Sequence, residues 1–155
     1  MLAIATGVCL LTGCGDSKQG TVPKHLDVRL PWHDGGRIPK EFTCDGANST
    51  PVVGTLTKVD GMKQIAIVMI DPDAPGGTFT HWVRWGATDG KNSFGKLGYS
   101  GPCPPKGGKA HHYVLTLYGL KQPLTLPRGT GAQKAFAAIK ADAIASGRVT
   151  GVYGR

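Results

Sequence analysis

Apolar and polar positions in this chain fall into short runs that read as strands separated by turns. Residues 26–30, LDVRL, alternate apolar with polar, the pattern of a strand with one face on a core. Residues 65–70, IAIVMI, are continuously apolar, as in a strand covered on both faces. FTHWVRWGA at 79–87 alternates again. In HHYVLTLYGL, residues 111–120, alternation puts His111, Tyr113, Leu115 and Leu117 on one face and His112, Val114, Thr116 and Tyr118 on the other. One helix is predicted near the carboxyl end, where Phe136, Ile139, Ala143 and Ile144 recur at i, i+3, i+7 and i+8. Thr130 is placed to cap it and Gly147 to stop it. RVTGVYGR then reads as a short final strand. The expected core is all-β with one or two helices appended, punctuated by 24 glycines and 11 prolines.

At 155 residues the chain is sized for a single domain. It carries 18 Lys and Arg against 10 acids, a net charge of +8, which would suit nucleic acid or an anionic membrane. The basic residues are scattered and aromatic content is 7%, so no stacking platform is evident and no nucleic acid is expected as a partner. The first residues change the picture more. MLAIATGVCLLTGCG is free of charge, and its apolar stretch matches a signal-peptide core while being too short to cross a bilayer interior of about 30 Å. Leu11-Thr12-Gly13-Cys14 resembles the bacterial lipobox, whose cysteine is lipidated, although the positively charged region that normally leads such a peptide is missing. Residues 1–13 are therefore expected to be a lipoprotein signal peptide, 14–25 a lipidated Cys14 with a polar tether, and 26–155 the folded domain. The expected location is the bacterial cell envelope, with membrane attachment through the lipid on Cys14.

If Cys9 leaves with the signal peptide and Cys14 is acylated, Cys44 and Cys103 remain. Export places them where a disulfide persists. A bond between them is the simplest use, and two buried thiols the other. The spacing of the four cysteines does not resemble a zinc knuckle or ribbon.

Candidate chemistry gathers where strands end. In DPDAP, Pro72 and Pro75 stop the buried strand and begin a rigid turn, leaving Asp71 and Asp73 at the handover to a loop. Either aspartate can instead cap its turn by accepting backbone N–H bonds. His81 lies in the next strand beside Trp82, where a packed core histidine is the plain reading. His111 and His112 follow GPCPPKGGKA, a loop rich enough in Gly and Pro to present bare backbone N–H groups. Neighbouring strand residues face opposite ways, so at most one of these two imidazoles can join a pocket with Asp71 and His81. Three chemistries fit such a set. One is an anion pocket, with an aspartate orienting a histidine. Another is a two-histidine, one-carboxylate metal site. The last is nucleophilic catalysis, for which only Thr78 and Thr80 stand nearby and no Gly-x-Ser-x-Gly elbow exists.

Several motifs, in order, resemble those of the phosphatidylethanolamine-binding protein family, and most closely its bacterial, Raf kinase inhibitor-like branch. They are GGRIPKEFTCDGANSTP, DPDAP, THWV, and GPCPPKG followed by HHYVLTLYGL. The likeness runs from about Pro31 to the end. It implies a large antiparallel sheet packed on a smaller one, helices near the carboxyl end, and a small anion pocket at one edge. Carried over residue by residue, it implies Asp71, His81 and His111 as the pocket's acid and bases. Tyr113 stands beside them, and Gly101, Pro102, Pro104 and Pro105 shape the loop. Cys44 and Cys103 both fall in motifs that should approach the pocket, which supports a bond between them. The sequence departs from the family where His112 replaces the usual Arg, where Ala110 precedes His111, where Gly108 and Lys109 lengthen the loop, and in NSTPVV.

The resemblance implies binding without catalysis and without cofactor or metal. The expected ligand is a small phosphate- or carboxylate-bearing molecule, with a phospholipid head group as one form of it. The alternative is an inhibitor or modulator of another protein such as a protease, and a metal-dependent hydrolase ranks behind both.

Overall fold

The structure, a computed structural model, describes residues 24–155. The expected signal peptide, Cys14 and most of the tether lie outside the described residues. Seven strands form one mixed sheet: β1 (Lys24–His25), β2 (Gly36–Arg37), β3 (Gln64–Asp71), β4 (Phe79–Trp85), β5 (Thr88–Asp89), β6 (His111–Leu120) and β7 (Ala143–Tyr153). The order across it is β1-β7-β6-β3-β4-β5, with β2 also pairing β7. The long central strands are antiparallel, while β1 and β2 run parallel to β7. Lys24 and His25, expected to end the tether, thus belong to the sheet.

Both faces of β3 are covered, as its unbroken apolar run predicts. Ala66 and Val68 pack with Val83, Trp85, Leu120 and two residues of the helix α1 (Ala132–Asp142), Ala135 and Ile139. Met69 packs on the other face with Trp82, Tyr113, Leu115 and an amino-terminal arm that brings Trp32, Ile38 and Phe42. That arm holds no smaller sheet of continuous strands among the described residues. LDVRL forms only an isolated bridge, Arg29 with Gly54, and its Leu26 and Val28 are held by packing against Leu117 and Ala145.

Two local readings change. The helix begins at Gly131 as N-cap and ends at Asp142, so Ala143, Ile144 and Gly147 stand in β7 and the last strand is 11 residues long. Thr130 donates its hydroxyl to the carbonyl of Pro127 instead of capping. Antiparallel pairing with β6, from Leu120–Ala143 to His111–Tyr153, claims those residues for the sheet and overrides a helical spacing. Gly147 is needed there for closeness, since a Cβ would lie 1.9 Å from the carbonyl oxygen of Leu26.

The alternation expected in β4 also breaks, with His81, Trp82 and Val83 buried in succession. Met69 pairs with Trp82 but Ile70 with Thr80, which leaves His81 as the extra residue of a bulge. A bulge re-aims a side chain, and this one turns His81 to the face that carries Tyr113, with ring centroids 5.2 Å apart.

Candidate functional site

A cavity of about 210 Å³ opens where β3 ends and β4 and β6 begin. Asp71, His81, His111 and Tyr113 line it, together with Pro104, Pro105 and Cys103. Asp71, His81 and His111 are 3%, 4% and 9% exposed, and Tyr113 is fully buried. The alternation of β6 places His111 and Tyr113 inward and His112 outward as expected.

Asp71 uses both carboxylate oxygens. Oδ1 accepts the backbone N–H of Asp73 at 2.8 Å, and Oδ2 accepts from Nδ1 of His111 at 2.8 Å. The turn-capping role and the pocket role of this residue therefore coexist. Because a carboxylate oxygen only accepts, the hydrogen of His111 sits on Nδ1, and Nε2 is the nitrogen left for a ligand. His81 is fixed in the same sense. Its Nδ1 donates to the carbonyl of Ser100 at 2.6 Å, while its own carbonyl accepts the N–H of Ser100 at 2.9 Å. Burial pushes the His81 imidazole below its ordinary pKa, opposed by the Ser100 bond and the charge of Asp71. Burial likewise raises the Tyr113 phenol, helped by Asp71. The Cys103 backbone approaches its oxygen and opposes that rise, but among the described residues the hydroxyl makes no hydrogen bond of good geometry.

Gly101 and Pro102 do not line the cavity; they hold its wall in place. The Gly101 N–H donates to Asn48 Oδ1 at 2.7 Å, the Cys44 N–H to the Pro102 carbonyl at 3.1 Å, and the Tyr99 hydroxyl to the Phe42 carbonyl at 2.6 Å. A disulfide joins Cys44 to Cys103 across the same seam. A Cβ on Gly101 would stand 2.2 Å from the Phe42 carbonyl oxygen, so only glycine permits this approach.

The mouth of the cavity is apolar and was not legible in sequence. Ala74, Pro75, Phe79 and Phe94 complete the lining, with the Phe79 and Phe94 rings 4.5 Å apart. Phe94 stays 55% exposed on a turn built around buried Asn92, whose Oδ1 accepts the N–H groups of Phe94 and Lys96. The one available signal was a phenylalanine standing in the glycine-rich polar stretch KNSFGKLG. Outside the cavity, Asp73 accepts from both the N–H and Nδ1 of His112, at 2.8 and 2.7 Å. Those bonds hold the Asp73 carboxyl below the usual carboxylate range. Among the described residues no three His, Cys, Asp or Glu side chains are grouped to hold a metal ion.

The sequence model of the family described as phosphatidylethanolamine-binding protein matches residues 30–154. The chain belongs to the phosphatidylethanolamine-binding protein family. A UPF0098 protein of Pyrococcus horikoshii is 33% identical, across 99% of this chain and 88% of its own length. LppC of Mycobacterium tuberculosis, named as a proposed lipoprotein, is 38% identical across 98% of this chain and 91% of its own length. Among solved structures, YbcL of E. coli, titled a new member of the mammalian family, has a TM-score of 0.76 at 25% identity, covering 84% of this chain and 98% of that one. A homologue from Chlamydia trachomatis, at 24% identity and a TM-score of 0.78, covers 85% and 99% and shares the fold. No described helix is long and apolar enough to cross a membrane.

Proposed function

We propose that this family member is a non-enzymatic binding protein whose cavity holds the anionic group of a small ligand, a phosphate or a carboxylate, with a phospholipid head group among the candidates. The observation that carries the reading is the buried Asp71–His111 pair at 2.8 Å beside an unpartnered Tyr113 hydroxyl. Burying a polar hydroxyl without a partner costs free energy, and a ligand oxygen relieves that cost. At about 210 Å³ the cavity falls below the roughly 300 Å³ at which drug-sized sites begin, so it suits a head group and not a large molecule. Its lining offers no serine, threonine or free thiol to act as a nucleophile. Attachment to the cell envelope through Cys14 completes the proposal, supported by the tetrapeptide Leu11–Cys14 and by the name of the mycobacterial relative.

Calorimetric titration with phosphate, acetate and phosphoethanolamine tests it. Saturable binding is expected for the wild-type protein and none for His111→Ala, whose thermal unfolding confirms that it is folded. Equal affinity in the two proteins overturns the pocket assignment.

A further inference from the structure

The disulfide beside the cavity has asymmetric surroundings. Cys44 and Cys103 are both exposed residues. Among the described residues only Cys103 has a cation against its sulfur: Arg155 Nη1 donates to Cys103 Sγ at 3.3 Å. The guanidinium is itself anchored, with Nε 3.0 Å from each oxygen of Asp45 and Nη2 2.8 Å from Oδ1. Tyr153 adds a bond to the same carboxylate at 2.7 Å. Arg155 is thus aimed at one of the two sulfurs, and a positive neighbour stabilises a thiolate.

We propose that Cys44–Cys103 is a thiol-exchange site with a fixed direction, attacked at Cys44 by the thiolate of a dithiol protein or small dithiol. The attacking sulfur forms a bond to Cys44 Sγ, the Cys44–Cys103 bond breaks, and Cys103 leaves with the electron pair as a thiolate beside Arg155. The second thiol of the dithiol then attacks its own sulfur in the mixed disulfide and releases Cys44. Two electrons pass to the protein, the dithiol becomes a disulfide, and the two released thiolates take up the two protons it lost. The direction follows because exchange is faster when the leaving sulfur is the better-stabilised thiolate.

The consequence reaches the cavity, because Cys103 lines it with Pro104 and Pro105. The bonds from Gly101 to Asn48 and from the Cys44 N–H to Pro102 involve neither sulfur, so reduction is expected to loosen the wall without unfolding the domain. This effect on the ligand rests on the anion-binding reading; the exchange chemistry does not.

The full chain is treated with glutathione at neutral pH with iodoacetamide present, and the peptides carrying Cys44 and Cys103 are mapped by mass spectrometry. Glutathione is expected on Cys44 and alkylation on Cys103; the reverse, or an even split, overturns the proposal. The rate of reduction by dithiothreitol is then compared in Arg155→Gln and Asp45→Asn. Both variants break the same ion pair, but only the first removes the cation from Cys103. Arg155→Gln should slow reduction roughly threefold or more, and Asp45→Asn should leave it unchanged or faster. Equal rates in both variants, or acceleration in both from a loosened loop, overturn it. Phosphate titration of the oxidised and reduced protein separates the two readings: failure of the oxidised form to bind speaks against the anion pocket alone.

Discussion

Asp73 accepts two hydrogen bonds from a single residue, His112, at 2.8 Å from its backbone N–H and 2.7 Å from its imidazole Nδ1. Two residues before Asp73, at the end of β3, Asp71 pairs with His111, the residue before His112 on β6, at 2.8 Å inside the cavity. Two carboxylate–imidazole pairs thus sit on opposite faces of one strand junction. The outer pair ties the DPDAP turn to β6, and so fixes the backbone from which Asp71 projects. His112, where the family usually carries Arg, keeps an ionisable partner for this turn.

Acid should therefore weaken the protein in two stages. The His81 pKa is lowered by burial. The unfolded chain takes up a proton below about pH 6.5 that the folded chain refuses, and stability falls from there toward the lower folded value. The carboxyl pKa of Asp73 is lowered by the backbone and side-chain bonds of His112, and that of Asp45 by the Tyr153 and Arg155 bonds. Their contribution is present above the ordinary value of 3.8 and is lost as pH falls through the lower folded values. Urea midpoints across this range should show both declines. His81→Gln should abolish the upper one and Asp73→Asn should reduce the lower. An unchanged upper decline in His81→Gln would mean another group controls it.

Gly101→Ala should damage the site through its wall. The added Cβ would meet the Phe42 carbonyl at 2.2 Å and Asn48 Oδ1 at 2.6 Å, the first held by the Tyr99 hydroxyl and the second by the N–H of Gly101 itself. Overpacking of this kind costs about 1–3 kcal/mol, and at this size each kcal/mol moves the melting temperature by roughly 2–4 °C. Calorimetric melting checks the stability loss. A melting temperature equal to wild type would show that the seam between the two loops gives way freely.

Removing the disulfide should cost more. It links residues 59 positions apart, for which chain-entropy arguments give about 4 kcal/mol. Replacing both cysteines with serine should lower the urea-derived unfolding free energy by roughly 3–4 kcal/mol and steepen the slope, because the unfolded chain without the cross-link exposes more surface. Loss below about 1 kcal/mol would indicate that residual structure already restrains the reduced unfolded chain.

The sheet and the inner half of the site could be read from sequence because their causes are local. Alternation in β6 assigns His111 and Tyr113 to one face, and two prolines stop β3 at Asp71. What escaped depends on partners distant in sequence. The bulge at His81 exists only relative to Met69 and Ile70 of β3. The end of α1 at Asp142 is set by β6, and Asp142 itself accepts the backbone N–H groups of Lys121 and Gln122. Phe94 reaches the cavity because Asn92 folds its turn, which no periodicity reports.

Tyr113→Phe separates a structural role from a binding role. The hydroxyl is buried with no partner, so deleting it removes an unsatisfied donor, and stability should stay equal or rise slightly. If the hydroxyl donates to the bound anion, affinity for phosphate should fall by roughly tenfold, the value of one hydrogen bond to a charged group. Lower stability with unchanged affinity would make Tyr113 a packing residue and remove it from the site.

Anion binding should also take up a proton. Nδ1 of His81 and of His111 is already committed, to Ser100 and to Asp71, so each ring can donate to an anion only through a protonated Nε2. Asp71 is the one carboxylate in the lining and repels the ligand, which makes that added positive charge more necessary. With its pKa lowered by burial, His81 is neutral near pH 7 in the free protein. A bound anion stabilises the imidazolium and raises that pKa. Binding is then favoured below the bound-state value and lost as pH rises through it. Titrations in two buffers of different ionisation enthalpy, at about pH 6 and pH 8, should show net proton uptake and weaker affinity at the higher pH. Proton release, or affinity that is flat across this interval, would show that Tyr113 and the loop backbone hold the anion without either histidine changing charge.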